Sequence, residues 1–128
     1  MAELKIYGVG VDLIEVKRIK SAIEKNPGFI KKVYTDSEVK YCAGKLRSCF
    51  INYAERFAAK EAVVKALGTG IGEVSWLDIE ILRGERGEPM LHLYGNAQRI
   101  ADQLGLMDWS VSLSHTQNIA VAVVVAVD

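Results

Sequence analysis

Three residues of this 128-residue chain have types and spacing that could perform chemistry: Asp12, Glu61 and Lys65. With a helical step of about 100° per residue, Glu61 falls on the same side of its helix as the apolar residues. An isolated buried carboxylate is costly, so Glu61 needs a cationic partner. Lys65, one turn further on, can supply it as an ordinary i,i+4 ion pair. Alternatively, Glu61 is a magnesium ligand and Lys65 binds phosphate, since magnesium prefers carboxylate and phosphate oxygens.

Asp12 has two interpretations of the same kind. It follows a short predicted strand, residues 4–11, that contains Gly8 and Gly10. One interpretation makes Asp12 the N-cap of the next helix, with Glu15 as its capping-box partner. The other makes Asp12 a second carboxylate for the same metal ion, with the glycines allowing a backbone or a ligand to come close.

The first half of the chain is predicted to be mainly helical. Apolar residues recur at threes and fours from Leu13 to Ile23, and a long helix is predicted over residues 49–67. The sequence from Thr35 to Glu38 has the form of a capping box, which predicts the start of another helix. Gly68 is expected to end the long helix, because glycine adopts the left-handed cap conformation cheaply.

The second half is predicted to form an antiparallel sheet. Residues 76–82 and 90–94 form a predicted hairpin, residues 96–104 a short helix, and residues 109–114 and 119–127 two further strands. Helices mostly early and strands mostly late predict an α+β fold, and residues 1–128 are expected to form a single domain.

Composition excludes several classes of protein. Sixteen basic residues balance sixteen acidic ones, which is unlike a general nucleic-acid binder. The sequence has no apolar run of the length that a membrane span needs, and no secretion signal is recognised. Cys42 and Cys49 fit no metal or redox spacing, so reduced thiols in a cytoplasmic protein are expected.

Two segments carry a resemblance to a known family. GVGVD at residues 8–12 and RFAAKEAVVKALGTGI at residues 56–71 resemble the two signature motifs of the 4′-phosphopantetheinyl transferases, most closely the short bacterial type, the holo-[acyl-carrier-protein] synthases. SLSHT at residues 112–116 resembles the third conserved stretch of that family. The likeness extends over almost the whole chain, from residue 6 to about residue 125.

The resemblance implies a magnesium-dependent enzyme. Its reaction would transfer the phosphopantetheine arm of coenzyme A to a serine of apo-acyl carrier protein and release adenosine 3′,5′-bisphosphate. The alternative is a trimeric homologue that binds coenzyme A or the carrier protein without turnover. The presence of Asp12, Glu61 and Lys65 favours the enzyme.

The resemblance also implies the roles of individual residues. Asp12 and Glu61 match the metal ligands, and Lys65 matches the lysine that holds the pyrophosphate. His115 matches a histidine associated with coenzyme A binding or acid–base support, although by itself it could be a polar turn residue. The proton acceptor stays open between Glu61 and a water molecule. The other residues expected to bind coenzyme A are Arg56, Gly68, Thr69, Gly70 and Pro89.

Two features concern partners. Arg18, Ala22 and Lys25 share one helix face, which the resemblance assigns to an acidic carrier protein; a solvated basic face is the alternative. The resemblance also implies a homotrimer with each site between neighbouring subunits. The apolar run at residues 119–127 agrees with this, since such a strand should be covered on both faces, though a single-domain core could also cover it. Lys60 points about 100° away from Glu61, so a role shared directly with Glu61 is disfavoured, and contact with solvent or another subunit is an equal alternative.

Overall fold

The computed structural model describes residues 3–128 and has an α+β architecture. In chain order its elements are β1 (Ile6–Glu15), α1 (Val16–Lys25), α2 (Phe29–Val33), α3 (Asp36–Ala43), α4 (Cys49–Leu67), β2 (Ile79–Arg83), β3 (Pro89–Leu93), α5 (Gly95–Gln103), β4 (Asp108–His115) and β5 (Ile119–Val127), with one 3-10 turn at Trp76–Asp78 before β2.

The strands form two antiparallel sheets. The larger has the order β1-β5-β4, and β2 and β3 form a separate hairpin. One face of the larger sheet packs on α4 through small side chains of β5, including Ala120, Ala122 and Ala126, which are buried. The prediction of an α+β fold with an antiparallel sheet is therefore confirmed.

Helix α4 forms the centre of the core and begins and ends where the sequence predicts. Thirteen of its nineteen residues are buried, because the sheet, α1, α3 and β2 surround it. Gly68 ends it with a φ of 77°, in the left-handed region that glycine adopts without strain. The predicted capping box also forms, with Thr35 and Glu38 each bonding the other's backbone N–H.

Strand β1 lies unusually close to α4. A Cβ atom added to Gly8 would overlap the carbonyl oxygen of Ala66, and one added to Gly10 would overlap that of Ala62. Only glycine allows this approach, and the approach places Asp12, on the same face of β1, beside the middle of the helix. The two glycines therefore let the backbone of α4 come close to β1, which is one of the two roles that the sequence suggested for them.

The interpretation of Asp12 as a helix cap is wrong. Strand β1 continues to Glu15, so Leu13 and Ile14, which the sequence pattern placed in a helix, pair with β5 instead. Glu15 takes the N-cap position and makes no side-chain cap bond. Pairing with a strand more than a hundred residues away outweighs the local helical spacing, because sheet formation depends on tertiary context.

The other face of the larger sheet is apolar and open. Val9, Val11 and Leu13 of β1 are 54–61% exposed, and Val123 of β5 is 39% exposed. The expectation that β5 is covered on both faces is therefore not met within a single chain. In residues 3–128, no helix combines the length and apolar character that a bilayer crossing requires.

Candidate functional site

Asp12 and Glu61 line the same cavity, which has a volume of about 360 Å³. Asp12 comes from the inner face of β1 and Glu61 from the middle of α4, and the close packing at Gly10 brings the two elements together. The cavity thus joins two carboxylates that are 49 positions apart in the sequence. The remaining lining residues are apolar or basic: Leu13, Ile14, Arg18, Ile19, Ala22, Phe29 and Phe57.

Lys65 pairs with Asp12 and not with Glu61. Its Nζ lies 3.2 Å from Asp12 Oδ1 and donates to the Val11 carbonyl at 2.9 Å. In the described part of the chain, no ion pair within 4.0 Å joins Lys65 to Glu61, so the predicted i,i+4 pair is wrong. Lys65 thus joins α4 to β1 through the Asp12 carboxylate and the Val11 carbonyl.

Glu61 is a half-buried carboxylate whose charge is incompletely balanced. Burial raises its pKa above the ordinary value, the nearby Asp12 carboxylate raises it further, and Lys65 partly offsets both effects. Two like charges facing one cavity repel each other, and a cation between them would remove that repulsion. Glu61 thus faces a cavity and not the interior of the core.

These two carboxylates have the chemistry of a site for a hard divalent cation. Magnesium commonly binds one or two carboxylates and takes its other oxygens from water and substrate phosphates. Across residues 3–128, no group of three or more His, Cys, Asp or Glu residues is arranged to hold a metal. Asp12 and Glu61 could therefore provide two carboxylate ligands here, and oxygens of water or substrate could occupy further positions.

Lys60 is fully buried, so the alternative of solvent or subunit contact is wrong. Its Nζ lies 2.7 Å from Glu38 Oε1 and donates to the carbonyls of Val33 and Trp76 at 2.7 and 3.0 Å. Glu38 also accepts a bond from the Ile81 N–H at 2.9 Å. This buried pair connects α3 and β2 to α4 at Lys60, the residue that precedes Glu61.

Arg56 is also fully buried, although the resemblance assigns it to the coenzyme A site. Its guanidinium donates to the carbonyls of Ile81 and Asn52 at 3.2 and 3.3 Å and lies over the Tyr41 ring at 4.4 Å. Its Nη2 has no hydrogen-bond partner among the described residues. Within one chain, Arg56 thus holds α4 to β2.

The glycine-rich turn after α4 lies apart from the two carboxylates. Thr69 lines a second cavity of about 370 Å³ with Asn96 and Arg99. Gly68 and Gly70 stand beside Thr69 in the same turn, where added Cβ atoms would meet open space. Pro89 begins β3, opposite Arg83 of β2. The residues assigned to coenzyme A are therefore spread over several parts of one chain.

His115 does not join Asp12 and Glu61 either. It ends β4, where it pairs with Ala120, which in turn pairs with Ile14 of β1. Two strand spacings, about 10 Å, separate β4 from β1. The Nδ1 atom of His115 instead lies 3.0 Å from Oε2 of Glu55 on α4.

Sequence reasoning missed Glu55 and Arg83. Glu55 is 2% exposed, and its Oε1 lies 3.8 Å from Arg83 Nη2. That distance makes an ion pair without a hydrogen bond. A second acidic residue within the apolar segment of α4 was a usable signal for Glu55, but nothing in the sequence indicated its partners.

The predicted carrier-binding residues share one exposed face of α1. Arg18, Ala22 and Lys25 line a shallow surface depression. Arg18 and Ala22 also line the cavity of Asp12 and Glu61. The basic face therefore leads directly to the two carboxylates.

Comparison with known proteins identifies the family. The sequence pattern of the 4′-phosphopantetheinyl transferase superfamily matches residues 8–124. The chain belongs to this superfamily. The resemblance read from the two motifs is confirmed, and with it the expectation that the chain is a transferase of this class.

Relatives within the superfamily match nearly the whole chain. The holo-[acyl-carrier-protein] synthase of Ruminiclostridium cellulolyticum is 50% identical over 117 residues, which cover 89% of this chain and 87% of that protein. The holo-(acyl-carrier-protein) synthase of Bacillus anthracis, solved in complex with CoA (3′,5′-ADP), is 38% identical with a TM-score of 0.80, covering 96% and 97% of the two chains. The acyl carrier protein synthase of Plasmodium yoelii, solved with ADP bound, is 34% identical with a TM-score of 0.89 and 98% coverage of both chains.

Proposed function

We propose that this chain transfers the 4′-phosphopantetheine arm of coenzyme A to a serine of apo-acyl carrier protein, with Mg²⁺ as cofactor. Similarity to holo-[acyl-carrier-protein] synthases over most of the chain supports the reaction, and the related Bacillus anthracis enzyme with coenzyme A in its structure supports the substrate. The observation on which the proposal for the site depends is that Asp12 and Glu61 face one cavity.

In this proposal, Asp12 and Glu61 hold the cation. A magnesium ion, when bound there, supplies positive charge that offsets the charge on the pyrophosphate and on the departing phosphate. Lys65 is more than half exposed beside Asp12, so its ammonium can leave that carboxylate and bind a pyrophosphate oxygen. Phe29 and Phe57 give one side of the cavity an apolar wall.

The basic face of α1 is the proposed docking surface for the acidic carrier protein. Arg18 contributes to both the surface depression and the carboxylate cavity. A carrier bound through Arg18 and Lys25 would therefore present its serine next to Asp12 and Glu61. Charge complementarity of this kind mainly increases the association rate and the specificity.

A homotrimer completes the proposal. His115 and Pro89 lie away from the carboxylates of their own chain, so a site that uses all of them needs a neighbouring subunit. The open apolar face of β1 and β5 offers a surface for such contacts, because contiguous exposed apolar surface usually marks an interface. Cys42 and Cys49 are free, as expected in a reducing compartment, and we include a cytoplasmic location in the proposal.

The direct test is mass spectrometry of apo-acyl carrier protein incubated with coenzyme A, Mg²⁺ and the protein. The expected result is a gain in mass of one phosphopantetheine arm, which EDTA abolishes. An unchanged carrier despite measurable coenzyme A binding would refute the transferase and favour a binding homologue. A gain in mass that EDTA leaves intact would refute the metal dependence alone.

A further inference from the structure

The buried carboxylate of Glu55 is in contact with two basic side chains. Its Oε2 lies 3.0 Å from His115 Nδ1, and its Oε1 lies 3.8 Å from Arg83 Nη2. The Glu55 side chain is 3% exposed, so it has lost nearly all contact with water. A carboxylate in that position is stabilised by its basic neighbours, and Arg83 supplies a permanent positive charge.

Arg83 is itself held in place. Its Nη1 donates to the Gly87 carbonyl at 2.5 Å, across the turn between β2 and β3. The hairpin thus fixes the cation, the cation faces Glu55, and Glu55 faces His115. Three elements, β2, α4 and β4, meet at this cluster.

When the His115 ring is neutral and Glu55 is ionised, their contact selects which ring nitrogen carries the proton. A carboxylate only accepts hydrogen bonds, so the 3.0 Å contact requires Nδ1 to be the donor. Neutral imidazole carries one proton, and with that proton at Nδ1 the other nitrogen, Nε2, has a free lone pair. Nε2 has no hydrogen-bond partner among the described residues, and the His115 side chain is 46% exposed.

We propose that Glu55 is a positioning residue for His115. It holds Nδ1 protonated and fixes the ring plane, so that Nε2 is the nitrogen offered to the coenzyme A substrate. This inference rests on the proposed function for the substrate, but the relationship between the two side chains stands without it. When a carboxylate that orients a histidine in this way is removed, the histidine changes both its protonated nitrogen and its orientation.

The first test is the protonation pattern of His115, read by long-range ¹H–¹⁵N NMR at alkaline pH, where imidazole is neutral. The chain has only two histidines, and the exposed His92 on β3 is an internal reference for an unconstrained ring. We expect His115 to be mainly in the Nδ1–H form and His92 to show the mixture of a free ring. A His115 spectrum with the same mixture as His92 would overturn the proposal, and this measurement needs no variant to fold.

Variants then assign the effect to Glu55. Glu55→Met removes the acceptor at similar length and should abolish the Nδ1–H preference. In Glu55→Gln one carboxylate oxygen becomes an NH2 group. Because Arg83 Nη2 favours the oxygen on its own side, the NH2 group faces Nδ1 and should also weaken the preference. Glu85→Met, at an exposed glutamate of the hairpin turn, is the matched control and should leave His115 unchanged. A preference that survives Glu55→Met would contradict the inference.

Kinetics test the use of His115 in the reaction. Glu55→Met should raise KM for coenzyme A by up to about tenfold, the loss expected for one hydrogen bond, with KM for the carrier protein unchanged. Glu55→Gln should raise KM for coenzyme A in proportion to its own loss of the Nδ1–H preference. If Glu55→Met alters the protonation pattern of His115 but not KM for coenzyme A, the proposed role of His115 in binding coenzyme A is overturned. Absence of transfer by the native protein would refute the proposed function instead, while the NMR result would still decide the Glu55–His115 relationship.

Discussion

Gly10 of β1 packs directly on the backbone of Ala62 in α4, with no room between them for a side chain. Asp12 follows Gly10 by two residues on β1, and Glu61 directly precedes Ala62 on α4. The contact between a glycine and a peptide carbonyl thus sets how far apart the two carboxylates of the proposed metal site lie. Packing of the core and geometry of the site are controlled at the same point.

Gly10→Ala tests this relationship. The added methyl group would overlap the Ala62 carbonyl oxygen, so β1 and α4 must separate, at a cost of about 1–3 kcal/mol of unfolding free energy. Urea denaturation measures the loss of unfolding free energy. Transferase activity should fall by more than the decrease in the folded fraction accounts for. Gly28→Ala is the control, since an added Cβ there has its nearest contact at 3.8 Å; equal effects of both substitutions would contradict the close packing.

Glu61→Gln should separate activity from stability. Because the folded protein raises the pKa of Glu61, folding favours the protonated carboxyl, and its ionisation destabilises the fold once the pH exceeds the ordinary carboxyl value. Gln has the same shape without the charge. At neutral pH the metal-free variant should therefore melt no lower than the native protein, and the difference should shrink as the pH falls through the acidic range.

Turnover of the same variant should be lost, because one of the two proposed metal ligands has lost its charge. The rise in melting temperature that Mg²⁺ and coenzyme A produce together in the native protein should also be absent. Calorimetry with and without these ligands measures this directly. Native-like turnover in Glu61→Gln would exclude Glu61 as a metal ligand.

Lys60→Met tests the buried pair with Glu38. The substitution leaves the Glu38 carboxylate buried without its cation, which typically costs about 3–5 kcal/mol. Adding Glu38→Gln removes the orphaned charge and should recover part of the loss but not all of it. The Thr35 and Ile81 N–H groups donate to different oxygens of Glu38, and the amide keeps only one of these two acceptors. Chemical denaturation of both single variants and the double variant gives the coupling energy, and additive effects would show that the pair is not coupled.

Arg18→Glu tests the docking face. Reversal of this charge at the mouth of the cavity should raise KM for the carrier protein about fivefold and weaken its dependence on salt, while KM for coenzyme A stays the same. Lys40→Glu, an exposed reversal on α3, is the control. If Lys40→Glu has as large an effect as Arg18→Glu, net charge and not this face attracts the carrier.

Val9→Glu tests the proposed subunit interface. Val9 is 57% exposed on the open face of β1, so a charge there should be tolerated by the folded chain but not by an apolar interface. Light scattering should detect a trimer for the native protein and a monomer for the variant, with circular dichroism unchanged. A monomeric native protein, or a variant that remains trimeric, would exclude this face as the interface.

The sequence by itself determined the features that depend on neighbouring residues. The bounds of α4, its glycine end and the Thr35–Glu38 capping box all follow from interactions within a few positions. The two motifs also identified the family, because the residue types and spacing that are typical of it are present in the chain.

Only the tertiary structure decided the relationships between distant residues. Asp12 lies in a strand because β1 pairs with β5 along its whole length, which local spacing could not reveal. Lys65 pairs with Asp12, 53 positions away, and not with Glu61. Lys60 is buried because it pairs with Glu38 on another helix. Glu55 and His115 are 60 positions apart. Burial and charge pairing depend on which elements pack together, and a single sequence does not specify those contacts residue by residue.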